Sequence, residues 1–190
     1  MKNLFTLFLL FTAFVGFSQE NAATQDAKWT IGFGTNFIDN TSRFNNDFLN
    51  SSKEWNFISA LSIFSVEKSF SENLSVATTL ALNIISSDNL QNGKTIAKDV
   101  NYYGLDINGK FFFDDYIVSQ SKIDSYVVFG TGINSVDDVT NQTGNLGLGF
   151  NFWFKPNLGL RLQTLGKFGF EQDTLLNNHI QHTAELVLKF

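Results

Sequence analysis

Polar and apolar residues alternate one by one along most of this chain, and the last twelve positions, HIQHTAELVLKF, show it most plainly. Ile180, Ala184, Leu186, Leu188 and Phe190 fall on one face of an extended strand, and Gln181, Thr183, Glu185 and Lys189 fall on the other. One face suits lipid and the other a polar interior, the arrangement of a strand in a membrane barrel. The same period-2 template predicts eight strands, over residues 28–37, 55–68, 74–85, 100–113, 125–133, 144–154, 158–170 and 179–190.

The faces follow from the alternation. In the sixth strand Leu146, Leu148, Phe150, Phe152 and Phe154 point one way, against Gly147, Gly149, Asn151 and Trp153. In the seventh Leu158, Leu160, Leu162 and Phe168 point outward, with Arg161, Gln163 and Lys167 inward. In the fourth Tyr103, Leu105, Ile107, Phe111 and Phe113 oppose Asp106, Asn108 and Lys110. The second strand, with its run FISALSIFSVEK, fits either facing, and a bulge there would reconcile the two.

The connections after odd-numbered strands, 38–54, 86–99, 134–143 and 171–178, are long and polar, whereas 69–73 and 155–157 are short and only 114–124 is intermediate. Long loops at one end and short turns at the other imply a barrel with both termini in the periplasm. The amino terminus agrees. Met1-Lys2 is a short basic region, residues 4–17 are apolar but too few to span a bilayer comfortably, and Gly16 and Ser18 occupy the −3 and −1 positions of a cleavage site. Residues 1–18 therefore read as a signal peptide and 19–190 as one barrel domain.

Composition sharpens this picture. Of 190 residues 22 are Phe, 4 Tyr and 3 Trp, a heavy aromatic load that suits a lipid-facing surface, and a single Pro suits a chain made mostly of sheet. The formal charge of −5, or −6 without Lys2, argues against nucleic acid as a partner. With no cysteine, disulfides and lipid attachment at an N-terminal cysteine are excluded.

Three segments carry more than alternation: KWTIGFGTNF, GLRLQTLGKFGF and HIQHTAELVLKF. Through them the chain resembles the amino-terminal eight-stranded barrel of OmpA-like outer-membrane proteins, the small barrels of the porin family. The resemblance covers essentially the whole mature chain. It implies an all-β, eight-stranded antiparallel transmembrane barrel in the outer membrane of a Gram-negative bacterium. Many members continue into a periplasmic peptidoglycan-binding domain that is lacking here, so cell-wall tethering is not carried over. In related proteins the barrel-assembly machinery reads a closing-strand signal, which would correspond to Leu186, Leu188 and Phe190.

The inferred interior carries Asp106, Lys110, Arg161, Lys167, Glu185 and Lys189. An eight-stranded barrel has room for side chains but not for a wide channel, so these six are expected to pair as a lumenal charge network and to fill a polar lumen. His179 and His182, three apart, face opposite ways on a strand and cannot share a metal ion without a bulge. They read as interfacial histidines; no catalytic or metal site is expected, and no cofactor. The Gly-x-Gly pairs at Gly32/Gly34, Gly130/Gly132 and Gly147/Gly149 lie inside strands with no helix behind them, so they serve packing and not phosphate binding. Trp29, Trp55, Tyr102, Tyr103 and Tyr126 are candidates for aromatic girdles. Asp137-Asp138 and Glu171 with Asp173 make two of the outer loops acidic, and solvated charge is the default reading.

The function this implies is non-enzymatic: a structural or surface-interaction protein, monomeric by default, embedded in outer-membrane lipid and acting through its extracellular loops. The ligand and extracellular partner are left open. A narrow pore is the alternative reading, and a lipid-modifying enzyme the next.

Overall fold

The computed structural model describes residues 29–39, 55–58, 60–89, 95–113, 122–171 and 175–190. The proposed signal peptide, Lys28, Asp173 and most of the connections at 40–54, 90–94 and 114–121 lie outside the described residues. Nine strand segments are present: β1 (Trp29–Asp39), β2 (Trp55–Phe57), β3 (Ile63–Ser69), β4 (Leu74–Ile85), β5 (Val100–Phe112), β6 (Ile123–Val136), β7 (Val139–Lys155), β8 (Leu158–Gly169) and β9 (Asn178–Lys189). All pair antiparallel with their neighbours, and β9 closes on β1 over ten residue pairs from Thr30↔Lys189 to Asp39↔Ile180. Because β2 and β3 both pair with β1, they are two pieces of one stave, and the closed barrel has eight staves.

Closure fixes the tilt. Following register partners from Trp29 through Lys68, Val76, Gly109, Phe129, Leu146, Gly166 and Ile180 returns to β1 at Asp39, ten residues further on. A stagger of that size in an eight-stranded barrel goes with strands inclined by roughly 40° to the axis. Outward positions form apolar rows, Leu74 to Ile84 on β4 and Tyr103 to Phe111 on β5 among them, and each of these rows alternates strictly with buried neighbours. Closed pairing satisfies the backbone without water, which is the condition for crossing hydrocarbon.

The second stave departs from a simple strand. Between the pairs Gly34↔Ile63 and Phe37↔Phe57, two residues of β1 face five of the partner. Among the described residues of this stretch Leu61 is 71% exposed. Asn36 stitches the gap: its backbone N–H donates to Ser62 Oγ (3.0 Å), and its amide donates to Ser62 O (2.9 Å) and Leu82 O (2.8 Å). Asn83 donates in turn to Asn36 Oδ1 (3.0 Å) and Asn56 O (3.1 Å). The ambiguous sequence pattern therefore reflects a real interruption, after which Ile63, Ser65 and Glu67 turn inward.

The expected loop at 134–143 is replaced by a hairpin. β6 and β7 stay paired up to Val136↔Val139, and Asp137 and Asp138 alone make the turn, at φ 49° and 64°. Consecutive left-handed residues match the twist of the flanking strands, and aspartate tolerates that conformation better than most side chains. Sequence reading took the polar residues Asn134, Ser135, Thr140 and Asn141 as loop, whereas they are strand residues in a ladder that continues past the neighbouring staves.

Candidate functional site: the lumen

The lumen is built in layers, named here from the terminal end, where Trp29 and Phe190 exchange backbone hydrogen bonds, to the loop end opposite. At the terminal mouth Trp153 donates from Nε1 to Asp124 Oδ2 (2.5 Å), and the Lys189 ammonium lies 5.4 Å from its ring centre. Lys189 is thus on the inward side but makes no ion pair with a described residue.

Next comes a four-charge cluster. Glu67 Oε2 accepts from Lys110 Nζ (2.7 Å) and Arg161 Nη2 (2.6 Å), and its Oε1 accepts from Ser75 (2.7 Å). Arg161 also donates from Nε to Asn151 (3.1 Å), while its Nη1 lies 4.0 Å from Glu185. Glu185 accepts from Ser65, which itself accepts from Arg161 Nη1 (3.3 Å). Lys110 lies 4.8 Å from the Tyr126 ring centre, and Tyr126 donates to Gln163 (3.1 Å). Two carboxylates face two cations, all buried, so the cluster is neutral, and none of its atoms is among the buried polar atoms left without a partner. An unpaired charge here would be costly.

Glu67 was not among the expected network residues, because the facing of its strand could not be decided from sequence. It is the carboxylate on which Lys110 and Arg161 converge. Small residues make the space: a Cβ at Gly32 would strike the Glu185 carboxylate, and one at Gly149 would strike the Tyr126 ring. Tyr126 and Tyr102, expected in the girdles, are both 0% exposed inside the lumen, while Tyr103 does point outward.

Toward the loop end stands the second charge pair. Lys167 Nζ contacts both oxygens of Asp106 (2.8 and 2.9 Å) and donates to Tyr102 OH (3.2 Å). Asn145 donates to Asp106 and Asn108 (3.0 Å each), and Tyr102 donates to Asn134 (2.8 Å). His179, read from sequence as interfacial, is buried in this layer with its ring edge-on to Tyr102 at 5.8 Å. His182 does face the other way: it stacks on Trp55 at 4.9 Å and meets Thr164 Oγ1 at 2.9 Å.

Above this pair apolar side chains join the polar ones. Ile38, Ala81, Ile85, Val100, Val136 and Leu176 form a buried cluster with Tyr102, and Ile96 and Leu175 pack against it. The expectation of a purely polar filling is corrected at the loop end, where this apolar cluster lies among buried asparagines. At the loop end the staves rise toward solvent, and inward apolar side chains close the barrel by hydrophobic burial instead.

Comparison with solved structures agrees with this architecture. A major outer-membrane protein of Thermus thermophilus superposes with a TM-score of 0.58 at 11% identity, covering 87% of this chain and 100% of the other. Neisserial surface protein A gives 0.55 at 16% identity, covering 86% and 96%, and the N-terminal β-barrel domain of Pseudomonas aeruginosa OprF gives 0.54 at 11%, covering 88% and 100%. The chain has the fold of the small eight-stranded outer-membrane barrels. No family model and no curated protein sequence matches it.

Proposed function

We propose that this chain is an outer-membrane barrel protein that works without catalysis, presenting the connections at its loop end outside the cell while both termini face the periplasm. The observation that carries the reading is the combination of apolar outward rows with a lumen occupied by paired charges below and an apolar seal above. Such a barrel offers lipid its outside and offers a partner its loop end. The filled lumen weighs against the narrow-pore alternative, and the fold shared with a protein titled a surface protein fits a surface role.

Two measurements test it. A peptide tag placed between Asp137 and Asp138, at the exposed hairpin tip, should be reached by antibody on intact cells, whereas a tag before Trp29 should need permeabilised cells; the opposite pattern inverts the orientation. In planar bilayers the protein should show no steady ion-selective conductance, and a large one would restore the pore.

The same reading makes outer-membrane lipid its solvent, the barrel-assembly machinery its partner during insertion, and a monomer its working form. Leu186, Leu188 and Phe190 lie on the outward face of β9, with Phe190 71% exposed. Replacing Phe190 with Asp should reduce insertion in cells severalfold while changing the urea midpoint of barrel refolded in detergent little, since a single exposed terminal side chain contributes about 0.5 kcal/mol or less. Normal surface abundance of that variant removes the signal reading and leaves Phe190 as one more lipid-facing residue.

A further inference from the structure

The lumen from Thr183 up to the layer around Tyr102 contains buried polar atoms that the described residues do not satisfy. Asn134 Nδ2, Gln181 Nε2, Thr183 Oγ1 and His179 Nδ1 have no hydrogen-bond partner among the described residues, and the four side chains are at most 5% exposed. Three of them adjoin a single hub. The Tyr102 hydroxyl gives its hydrogen to Asn134 Oδ1 (2.8 Å) and accepts from Lys167 (3.2 Å), whose ammonium reaches Gln181 Oε1 at 3.5 Å, while His179 Nε2 approaches the hydroxyl at 3.4 Å. With its hydrogen already committed, Tyr102 can meet His179 only as an acceptor. This assigns the proton of the neutral imidazole to Nε2 and leaves Nδ1 a bare acceptor.

The orphan set thus mixes amide donors, a hydroxyl and an imidazole acceptor. A bound anion would serve the donors and oppose the imidazole lone pair, and a cation would do the reverse, so only water serves both. Space for it exists. A cavity of about 10 Å³, bounded by Asn134, Asn141, Val136, Val139, Leu175 and Leu176, is close to the volume one water needs; it adjoins the Asn134 side chain and shares Val136 and Leu176 with the apolar cluster.

We propose that the loop-end half of the lumen is a hydrated chamber, and that protonation of His179 unlatches the apolar lid above it. The groups facing His179 explain the direction. Lys167, its register partner on β8, is already a cation; Asp106 on β5 is held by Lys167 and Asn145; Tyr102 and Asn134 offer an oxygen that is shared and an amide that donates. β1 and β4 contribute Asn36, Ile38, Ala81, Asn83 and Ile85 toward this end of the lumen, none of which titrates. A proton taken from solvent at Nδ1 turns the one orphan acceptor into a donor, sets a second positive charge beside Lys167, and leaves additional water as its means of solvation. The lid of Leu176, Val136 and their neighbours excludes that water, so charging the imidazole favours the open lid. Acidification therefore opens the chamber, and the neutral imidazole keeps it shut.

The chain has no cysteine, so single thiols can report on the lid. Leu176→Cys in the refolded barrel is labelled with a water-soluble thiol reagent, and its rate is divided by that of Asp138→Cys at the exposed turn, which cancels the reagent's own pH dependence. Between about pH 7.5 and about pH 5.5, where an imidazole exposed to water by opening gains its proton, the ratio should rise roughly tenfold and should stay flat in the His179→Gln background. A flat ratio with His179 present, or the same rise in His179→Gln, overturns the proposal. Should His179→Gln not fold, as judged by heat-dependent migration in SDS gels, His179→Asn serves as the background, and the same rise there overturns the proposal.

Discussion

The two charged layers of the lumen solve the same problem differently. Near the terminal end, Glu67, Glu185, Lys110 and Arg161 bind one another, and Ser65, Ser75 and Asn151 take up the remaining hydrogen bonds. Near the loop end, Asp106 and Lys167 pair just as closely, but Asn134, His179 and Gln181 around them are left with unused donors or acceptors. The difference lies in what surrounds each layer. The terminal cluster uses up the hydroxyls and amides of the adjoining staves, while beside the loop-end pair the Asn134 and Gln181 amides and the His179 ring are left over, next to leucine, isoleucine and valine that supply no polar atoms. A saturated network resists water because water has nothing to add, and an unsaturated one under an apolar lid needs water and is closed against it. One layer is a plug and the other a chamber.

That contrast can be broken by substitution, with unfolding in urea of the refolded barrel as the measure. The largest effect belongs to Arg161→Ala, which deprives both Glu67 and Glu185 of their shared cation and should cost about 3–5 kcal/mol. A loss below about 1 kcal/mol would mean that the plug is already hydrated. Glu185→Ala removes a partner held through Ser65 and only loosely by Arg161, so about 1–3 kcal/mol is expected. An unchanged midpoint would take Glu185 out of the coupled network. Ser75→Ala strips one hydrogen bond from Glu67 and should cost about 1 kcal/mol. The smallest effect should come from Thr183→Val, which deletes a hydroxyl without a partner among the described residues: within about 0.5 kcal/mol of the parent, or slightly stabilising. If Thr183→Val costs as much as Ser75→Ala, the two layers do not differ as described.

Much of the barrel was legible because period-2 alternation is a local property that a membrane strand must obey. Leu146, Leu148 and Phe150 outward, and Asp106, Lys110, Arg161, Lys167 and Glu185 inward, follow from parity alone once each strand is anchored. Glu67 escaped for the same reason. Five residues against two break the parity of the second stave, and nothing in FISALSIFSVEK tells where the count restarts. Tyr102 and Tyr126 escaped differently: a tyrosine near a strand end looks like a girdle residue whichever way it points, and only its parity within the finished strand places it inside.

The sequence by itself determined the fold class, the side of the sheet that meets lipid, and the buried charges other than Glu67, since each depends on the order of residue types along single strands. Tertiary structure alone decided which charges meet. A stagger of ten residues sets Glu67 of one stave beside Lys110 and Arg161 of distant ones, and it carries Leu176 over Tyr102 and His179. Such partners are 43 and 94 residues apart for Glu67, and their meeting is a consequence of closure that no local pattern contains.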